Sequence, residues 1–267
     1  MTTYPSVAVM TPLPPRFDEI TKNTLLSSWQ SIYKQTYPTE ALHFYFSVRE
    51  ELLFDYHKFL IENFKLSCTL LPGSTHVEDP TQLGKAKFLE LTEHRNLLLQ
   101  NGKKHDWGFF VDSDILIPPQ TIKRFIENNL EIVGGVVVVP TLGCLPNGEF
   151  VDAAGPGFGS FYYKNGLLQG SELAAVMPQN ISKVDFVNTA CMFLSHKVMN
   201  DSRVKFCIVP TAGDFGFLGE DHSYCYVAAK NGYAVMIDPD IRCNHLRIWR
   251  GILWEMSAAG PNLWCRL

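Results

Sequence analysis

Asp106–Pro119 reads DWGFFVDSDILIPP. Trp107, Gly108, Phe109, Phe110 and Val111 form a short apolar run rich in aromatic and branched residues. Such a run is expected to be a strand buried on both faces. Asp112 and Asp114 follow it at once. In an extended chain, residues two apart project to the same side. Two like charges about 4 Å apart repel by roughly 4 kcal/mol at an effective dielectric near 20. A cation held between them removes that repulsion. The competing reading is a turn, capped by the two Asp, ahead of Pro118 and Pro119.

Outward from this stretch, strand and helix patterns alternate. Short strands are expected at Ser6–Met10, His43–Val48, Ser67–Leu71 and Ile132–Val139. Helical spacing runs through Thr24–Gln35, Glu50–Phe64 and Lys85–Gln100, the last ended by Asn101–Gly102 as a left-handed cap. Pro119 suits the first turn of a helix reaching about Asn129. The pattern predicts an α/β fold: a mainly parallel, Rossmann-like sheet with helices on both faces. Ligands of such sheets bind at the carboxyl ends of the strands, where Asp112 and Asp114 would sit.

Beyond Val139 the character changes. Ala153–Gly170 is rich in Gly and aromatics and reads as loop and hairpin. Val184–Leu194 is strand-like, Ser195–Asn200 begins a short helix, and Thr211–Gly219 is a Gly-rich loop. Glu220–Asn231 is helical, and Tyr233–Asp238 reads as the last strand. No internal repeat or polar linker divides the chain. One catalytic domain over 1–245 is expected, with a nucleotide-sugar half (1–115), an acceptor half (116–245) and a Trp-rich tail (246–267).

Composition limits the function classes. The chain has 267 residues, 46% of them hydrophobic and 19% charged, which fits a globular core rather than disorder. The formal net charge of -4 argues against nucleic acid as a partner, which needs a basic face. The 7 cysteines are scattered without a C-x-x-C pair, so they read as small core residues of a reduced, cytoplasmic protein. The N-terminus lacks the basic start and apolar stretch of a signal peptide. No apolar run approaches the roughly 18 residues of a membrane span.

The chemistry-bearing residues fall in an informative order: Arg95–Asn96, Asp112–Ser113–Asp114, Glu220–Asp221, then His245. The segments EHRNLLLQ, DWGFFVDSDILIPPQTI, VDFVNTACMFLSHKVM and LGEDHSYCYVAAKNGYAVMIDPDIRCNH resemble, in that order, the GT-A superfamily of nucleotide-sugar glycosyltransferases. HRNLLL…DWGFFVDSDI is also similar to the fungal Golgi α-mannosyltransferases of the mannan polymerase complexes. GEDHSYC is closer to the family-2 inverting enzymes.

The resemblance implies roles. Asp114 would bind Mn2+ (or Mg2+) directly, with Asp112 acting through water or the donor ribose and His245 as third protein ligand. The metal would neutralise a diphosphate leaving group. Arg95 would reach the nucleotide or its phosphates. Thr11, Pro12, Arg49 and Ser113 are placed, by their positions at strand ends, to contact the nucleotide. Asp221 would be the general base that takes the acceptor's proton, and Glu220 would orient the acceptor. The expected reaction moves a hexose from a UDP- or GDP-linked donor to a hydroxyl on a glycan, protein or lipid. Tyr162 and Tyr163 are acceptor-stacking candidates.

Departures from the pattern keep alternatives open. Asn188, Thr189 and Ala190 stand where many family-2 sequences are Gly-rich. The mannan-polymerase relatives retain configuration and lack this Glu-Asp pair, so a retaining α-mannosyltransferase-like enzyme is the alternative, as is a non-catalytic sugar-binding relative. Asp214–Phe215–Gly216 lacks the companions of a kinase motif. Gly155–Gly159 lacks the ending of a phosphate loop. A dehalogenase-type phosphatase would carry D-x-D on its first strand, and a pyrophosphorylase would need a basic Gly-rich loop near the N-terminus. Trp249, Trp254 and Trp264 are expected to pack on the core; Arg247 and Arg250 leave a membrane-surface contact open.

Overall fold

The computed structural model describes residues 4–64, 66–73, 83–144, 150–174, 176–213, 216–249, 252–256 and 264–266. The first half alternates: β1 (Val7–Pro12), α1 (Glu19–Tyr33), β2 (Leu42–Arg49), α2 (Leu53–Asn63), β3 (Cys68–Gly73), α3 (Leu83–Gly102) and β4 (Trp107–Val111). The second half is β5 (Ile115–Leu116), α4 (Thr121–Asn128), β6 (Ile132–Cys144), β7 (Phe150–Pro156), β8 (Phe158–Lys164), β9 (Leu167–Leu173), β10 (Ser182–Lys183), β11 (Phe186–Val187), β12 (Cys191–Ser195), α5 (His196–Asn200), α6 (Glu220–Lys230), β13 (Val235–Trp249), β14 (Ile252–Met256) and β15 (Trp264–Arg266).

The main sheet runs β15-β14-β13-β6-β12-β4-β1-β2-β3. β3, β2, β1 and β4 are mutually parallel, and β13 is parallel to β6. β12 is reversed between β4 and β6. Side chains alternate between two cores, as strand geometry requires. Val9, Phe109 and Phe193 join Trp29 of α1, Tyr56 of α2 and Phe125 of α4 on one face. Met10, Phe110 and Met192 join Leu98 of α3, Met199 of α5 and Tyr224 of α6 on the other. Each such large apolar side chain, fully buried, contributes about 1.5–3 kcal/mol. Gly108 lets the second layer close: a Cβ there would lie 2.4 Å from the Met199 sulfur. A separate sheet, β11-β8-β9, carries Tyr162 and Tyr163, both exposed.

Several sequence expectations shift. α1 begins earlier than Thr24, because Asp18 caps it by accepting from the Thr21 N–H at 2.7 Å. Gly102 ends α3 without positive φ; the left-handed caps are Asn129 after α4 and Gly232 after α6. α4 starts at Thr121, so Pro119 lies just outside it. Val184–Leu194 is not one strand: Asn188 accepts from the Ala190 N–H at 2.8 Å and turns the chain between β11 and β12. The strand expected to end at Asp238 continues to Trp249 after an irregularity between Asp238 and Arg242, and β14 and β15 add to it. β13 therefore crosses the boundary expected at His245.

Candidate active site

β4 stops at Val111, and Asp112–Asp114 forms a turn rather than an extended continuation. The Ile115 N–H donates to the Asp112 carbonyl at 3.2 Å, and the Asp112 N–H donates to Ala190 at 3.3 Å. β5 then pairs with β13, setting Ile115 opposite His245. The Leu246 N–H donates to the Asp114 carbonyl at 2.7 Å. This turn is stitched to β13 and to the segment entering β12, and it sends the two carboxylates to different partners instead of one shared space.

Asp114 faces His245. Nε2 of His245 lies 3.2 Å from Asp114 Oδ2, and Nδ1 lies 2.8 Å from the Val138 carbonyl. A carbonyl only accepts, so Nδ1 carries the proton there. Nε2 then faces a carboxylate oxygen, a contact that a proton on Nε2 or a cation held between the two would satisfy.

Asp112 faces Arg95. This arginine, on α3, is only 3% exposed. Its Nη2 is 3.3 Å from Asp112 Oδ1, and its Nε is 3.3 Å from Glu220 Oε1. Both separations exceed the usual 2.7–2.9 Å or so of a charge-assisted hydrogen bond. Arg95 Nη1 and Glu220 Oε2 are buried without hydrogen-bond partners among the described residues. Arg95 is thus neither an exposed helix residue nor aimed at open solvent. It is a buried bridge between the turn after β4 and the start of α6.

α6 begins after Gly219 with Glu220 and Asp221 in its first turn. Ser223 holds the preceding loop: its Oγ accepts from the Val209 N–H at 3.0 Å and donates to the Leu218 carbonyl at 3.2 Å. Burial pushes the Glu220 carboxyl up to about 7, and the Asp221 charge adds to that while Arg95 opposes it. Burial raises Asp112 too, against the pull of Arg95, with Asp114 adding to the rise. For Arg95, burial works against the charge, but Asp112, Glu220 and Asp221 outweigh it and its pKa rises.

A cavity of about 390 Å³ opens beside the turn, lined by Pro14, Pro15, Arg16, Lys87, Ser113 and Asp114 among others. Thr11 and Pro12 end β1 just behind the proline loop and are buried. Arg49 is held by Glu90, with Nη2 to Oε2 at 2.8 Å. Neither Arg49 nor Thr11 lines the cavity. Lys87 and Arg16 do, and neither stood out in the sequence. Lys87 lies eight residues before Arg95 on α3, and that helical offset was the signal available. Side chains of Trp249, Trp254, Trp264 and Arg247, residue Arg250, and the Asp214–Phe215 pair lie outside the described residues.

Among the described residues, no group of three or more His, Cys, Asp or Glu stands in metal-holding geometry. Asp114, which lines the cavity, and the buried His245 beside it nonetheless bring a carboxylate and an imidazole nitrogen within 3.2 Å of each other. Hard divalent cations are commonly held by one or two carboxylates, with substrate phosphates and water completing the shell. The donor chemistry fits such an ion.

No protein-family model and no curated protein matches the chain. Solved structures do. TarS 1-349 of S. aureus, in complex with UDP-GlcNAc, superposes with a TM-score of 0.51 at 13% identity, over 88% of this chain and 56% of that one. The same TarS fragment without that ligand gives 0.50 at 13% identity, over 88% of this chain and 58% of that one. The mannosyltransferase PcManGT of Pyrobaculum calidifontis, in complex with GDP-Man and Mn2+, gives 0.49 at 13% identity, over 90% and 56%. This chain therefore spans a little over half the length of these neighbours. The fold is mixed α/β with a mainly parallel central sheet, GT-A-like in its match to these structures. The likeness is one of fold and singles out no family within that type. No helix among the described residues is long and apolar enough to cross a membrane.

Proposed function

We propose that the protein is a metal-dependent glycosyltransferase that moves a hexose from a UDP- or GDP-linked donor to an acceptor hydroxyl, with Asp221 as base. One observation carries this reading. At the carboxyl rim of the sheet, beside a 390 Å³ cavity, Arg95 joins the Asp112–Asp114 turn to the Glu220–Asp221 helix start. A fold needs no such concentration of acids at a ligand-binding rim, where like charges destabilise one another.

Asp114 and His245, with Asp112 behind them, would hold Mn2+ or Mg2+, which when bound neutralises negative charge on a departing diphosphate. Lys87 and Arg16 supply further positive charge to the cavity that would take the donor. Asp221 accepts the acceptor's proton as its oxygen attacks. It stands in the first turn of α6, at the positive end of the helix dipole. Glu220, partly protonated near neutral pH, can donate a hydrogen bond to the acceptor. The Glu220–Asp221 pair supports inversion over the retaining alternative, because a base beside the nucleophile serves a single displacement. The acceptor half, 116–245, would present Tyr162 and Tyr163 to a glycan.

The test is release of nucleoside diphosphate from UDP- and GDP-hexoses by purified protein with Mn2+. Asp221→Asn should retain the nucleotide-dependent rise in melting temperature and lose turnover. A mutant that no longer binds nucleotide moves Asp221 to the donor site. Wild-type protein that neither binds nor turns over any sugar nucleotide defeats the proposal.

A further inference from the structure

His222 follows Asp221 on α6, and its imidazole is held from three sides. Nδ1 lies 2.8 Å from Oγ of Ser171 on β9. The ring lies over Phe186 of β11, with centroids 3.8 Å apart and planes 34° from parallel. Nε2 turns back toward Asp221, 3.8 Å from Oδ1. The backbone N–H of His222 donates to that same oxygen at 2.8 Å, fixing the carboxylate. The His222 side chain is 23% exposed and that of Asp221 13%, so the ring leads from the buried acid toward solvent.

Nothing in packing alone demands this arrangement. A phenylalanine would stack on Phe186 equally well. What the imidazole adds is a second nitrogen. When Ser171 Oγ accepts the Nδ1 proton, Nε2 is left with a lone pair directed at Asp221. The separation exceeds a direct hydrogen bond by less than about 1 Å, and proton-transfer pairs commonly tighten only once substrate is bound.

We infer that His222 is the proton outlet of Asp221, with Ser171 setting its tautomer. The inference rests on Asp221 being the base. As the acceptor oxygen bonds to C1 of the sugar, the bond from C1 to the diphosphate oxygen breaks and its electron pair leaves with the diphosphate. The acceptor proton passes to Asp221, then to Nε2 of His222, and from the exposed ring to water. Asp221 is thereby returned to its ionised form for the next turnover. His222 acts through Asp221 and is a positioning and relay residue. The inference also gives the small sheet a role: β9 and β11 hold the ring, so whatever docks on that sheet is linked mechanically to the base.

Hydrolysis of the donor, with water as acceptor, tests this without an identified acceptor. His222→Phe keeps the stack on Phe186 and removes both nitrogens. With Mn2+ and the sugar nucleotide that wild type turns over, its kcat should fall by at least about tenfold while the donor KM stays within about twofold. Added imidazole should restore much of the kcat of His222→Ala and none of that of Asp221→Ala. Ser171→Ala should fall between wild type and His222→Phe. Wild-type kcat in His222→Phe, or a His222→Ala defect untouched by imidazole, overturns the relay alone. Wild-type protein inactive on every donor overturns the relay together with the proposed activity.

Discussion

Nε2 of His245 lies 3.2 Å from Oδ2 of Asp114 while its Nδ1 is engaged by the Val138 carbonyl at 2.8 Å. The backbone on the far side of the ring fixes Nδ1 as a donor and leaves Nε2 to face the carboxylate. Under the proposed function, a divalent cation would be held between the two.

Metal binding measured directly is therefore the first prediction. Titration of Mn2+ followed by its paramagnetic signal should show one site in wild type and none in Asp114→Ala. His245→Ala should weaken binding by about tenfold or more. Equal affinity in Asp114→Ala would place the ion elsewhere.

Arg95 is the second. Removing one partner of a buried ion pair typically costs about 3–5 kcal/mol, and Arg95→Gln strands Asp112 and Glu220 together. Urea unfolding should show a loss of that order. Arg95→Lys should recover part of it, since one ammonium cannot reach both acids as the fork does. Adding Glu220→Gln to Arg95→Gln should return stability, because a buried carboxyl left without its partner is removed. Strictly additive losses would show that the bridge carries no energy.

Two pH windows of opposite sign form the third. Glu220 is raised in the fold, from an ordinary value of 4.5 to about 7. The native state thus holds the proton more tightly than the unfolded chain. Its contribution is fully present below about pH 4.5 and is lost as pH rises through about 7. His105 behaves oppositely. Burial, with the neighbouring His43 and Lys104 charges, lowers it from 6.5 to about 4, while Tyr45 OH sits 2.9 Å from its Nε2. Its contribution is present above about pH 6.5 and lost as pH falls through about 4. Urea midpoints from pH 4 to 8 should lose the neutral-side slope in Glu220→Gln and the acid-side slope in His105→Gln. Unchanged profiles would contradict both assignments.

The hairpin supplies the fourth. A Cβ at Gly159 would stand 1.9 Å from the Glu172 carbonyl oxygen, a backbone atom that cannot swing away. Gly159→Ala should destabilise the protein by about 1–3 kcal/mol, read as a lower melting temperature. A thermally neutral Gly159→Ala would mean that β8 and β9 can part without penalty.

Much of the fold was legible because hydrophobic period and turn residues agree locally. The apolar run Trp107–Val111 is β4 to the residue, and Glu220 starts its helix as expected. What escaped was set by distant partners. Asp112 and Asp114 diverge because Ala190 and Leu246 hydrogen-bond around them, contacts made across the sheet. Arg95 was expected to reach the nucleotide or its phosphates; its bridge to Asp112 and Glu220 depends on two acids remote in sequence. The break at Asn188, where the chain leaves β8 to pair with β4 and β6, and the extension of β13 past Pro239 along β6 likewise reflect pairings that no local pattern encodes. Of the site, the acids and His245 were visible as residue types; their pairing was not.

β12, which runs against both β4 and β6, has a consequence for how such a protein could diversify. β4 finishes at the rim, but β12 starts there, so the connection that leads into it arrives beside Asp112. Lengthening or recasting that inbound segment would reshape what the rim recognises. The outbound turn that carries Asp112 and Asp114 would be untouched. The inbound segment and the outbound turn thus lie on opposite chain directions, and one can drift while the other stays put.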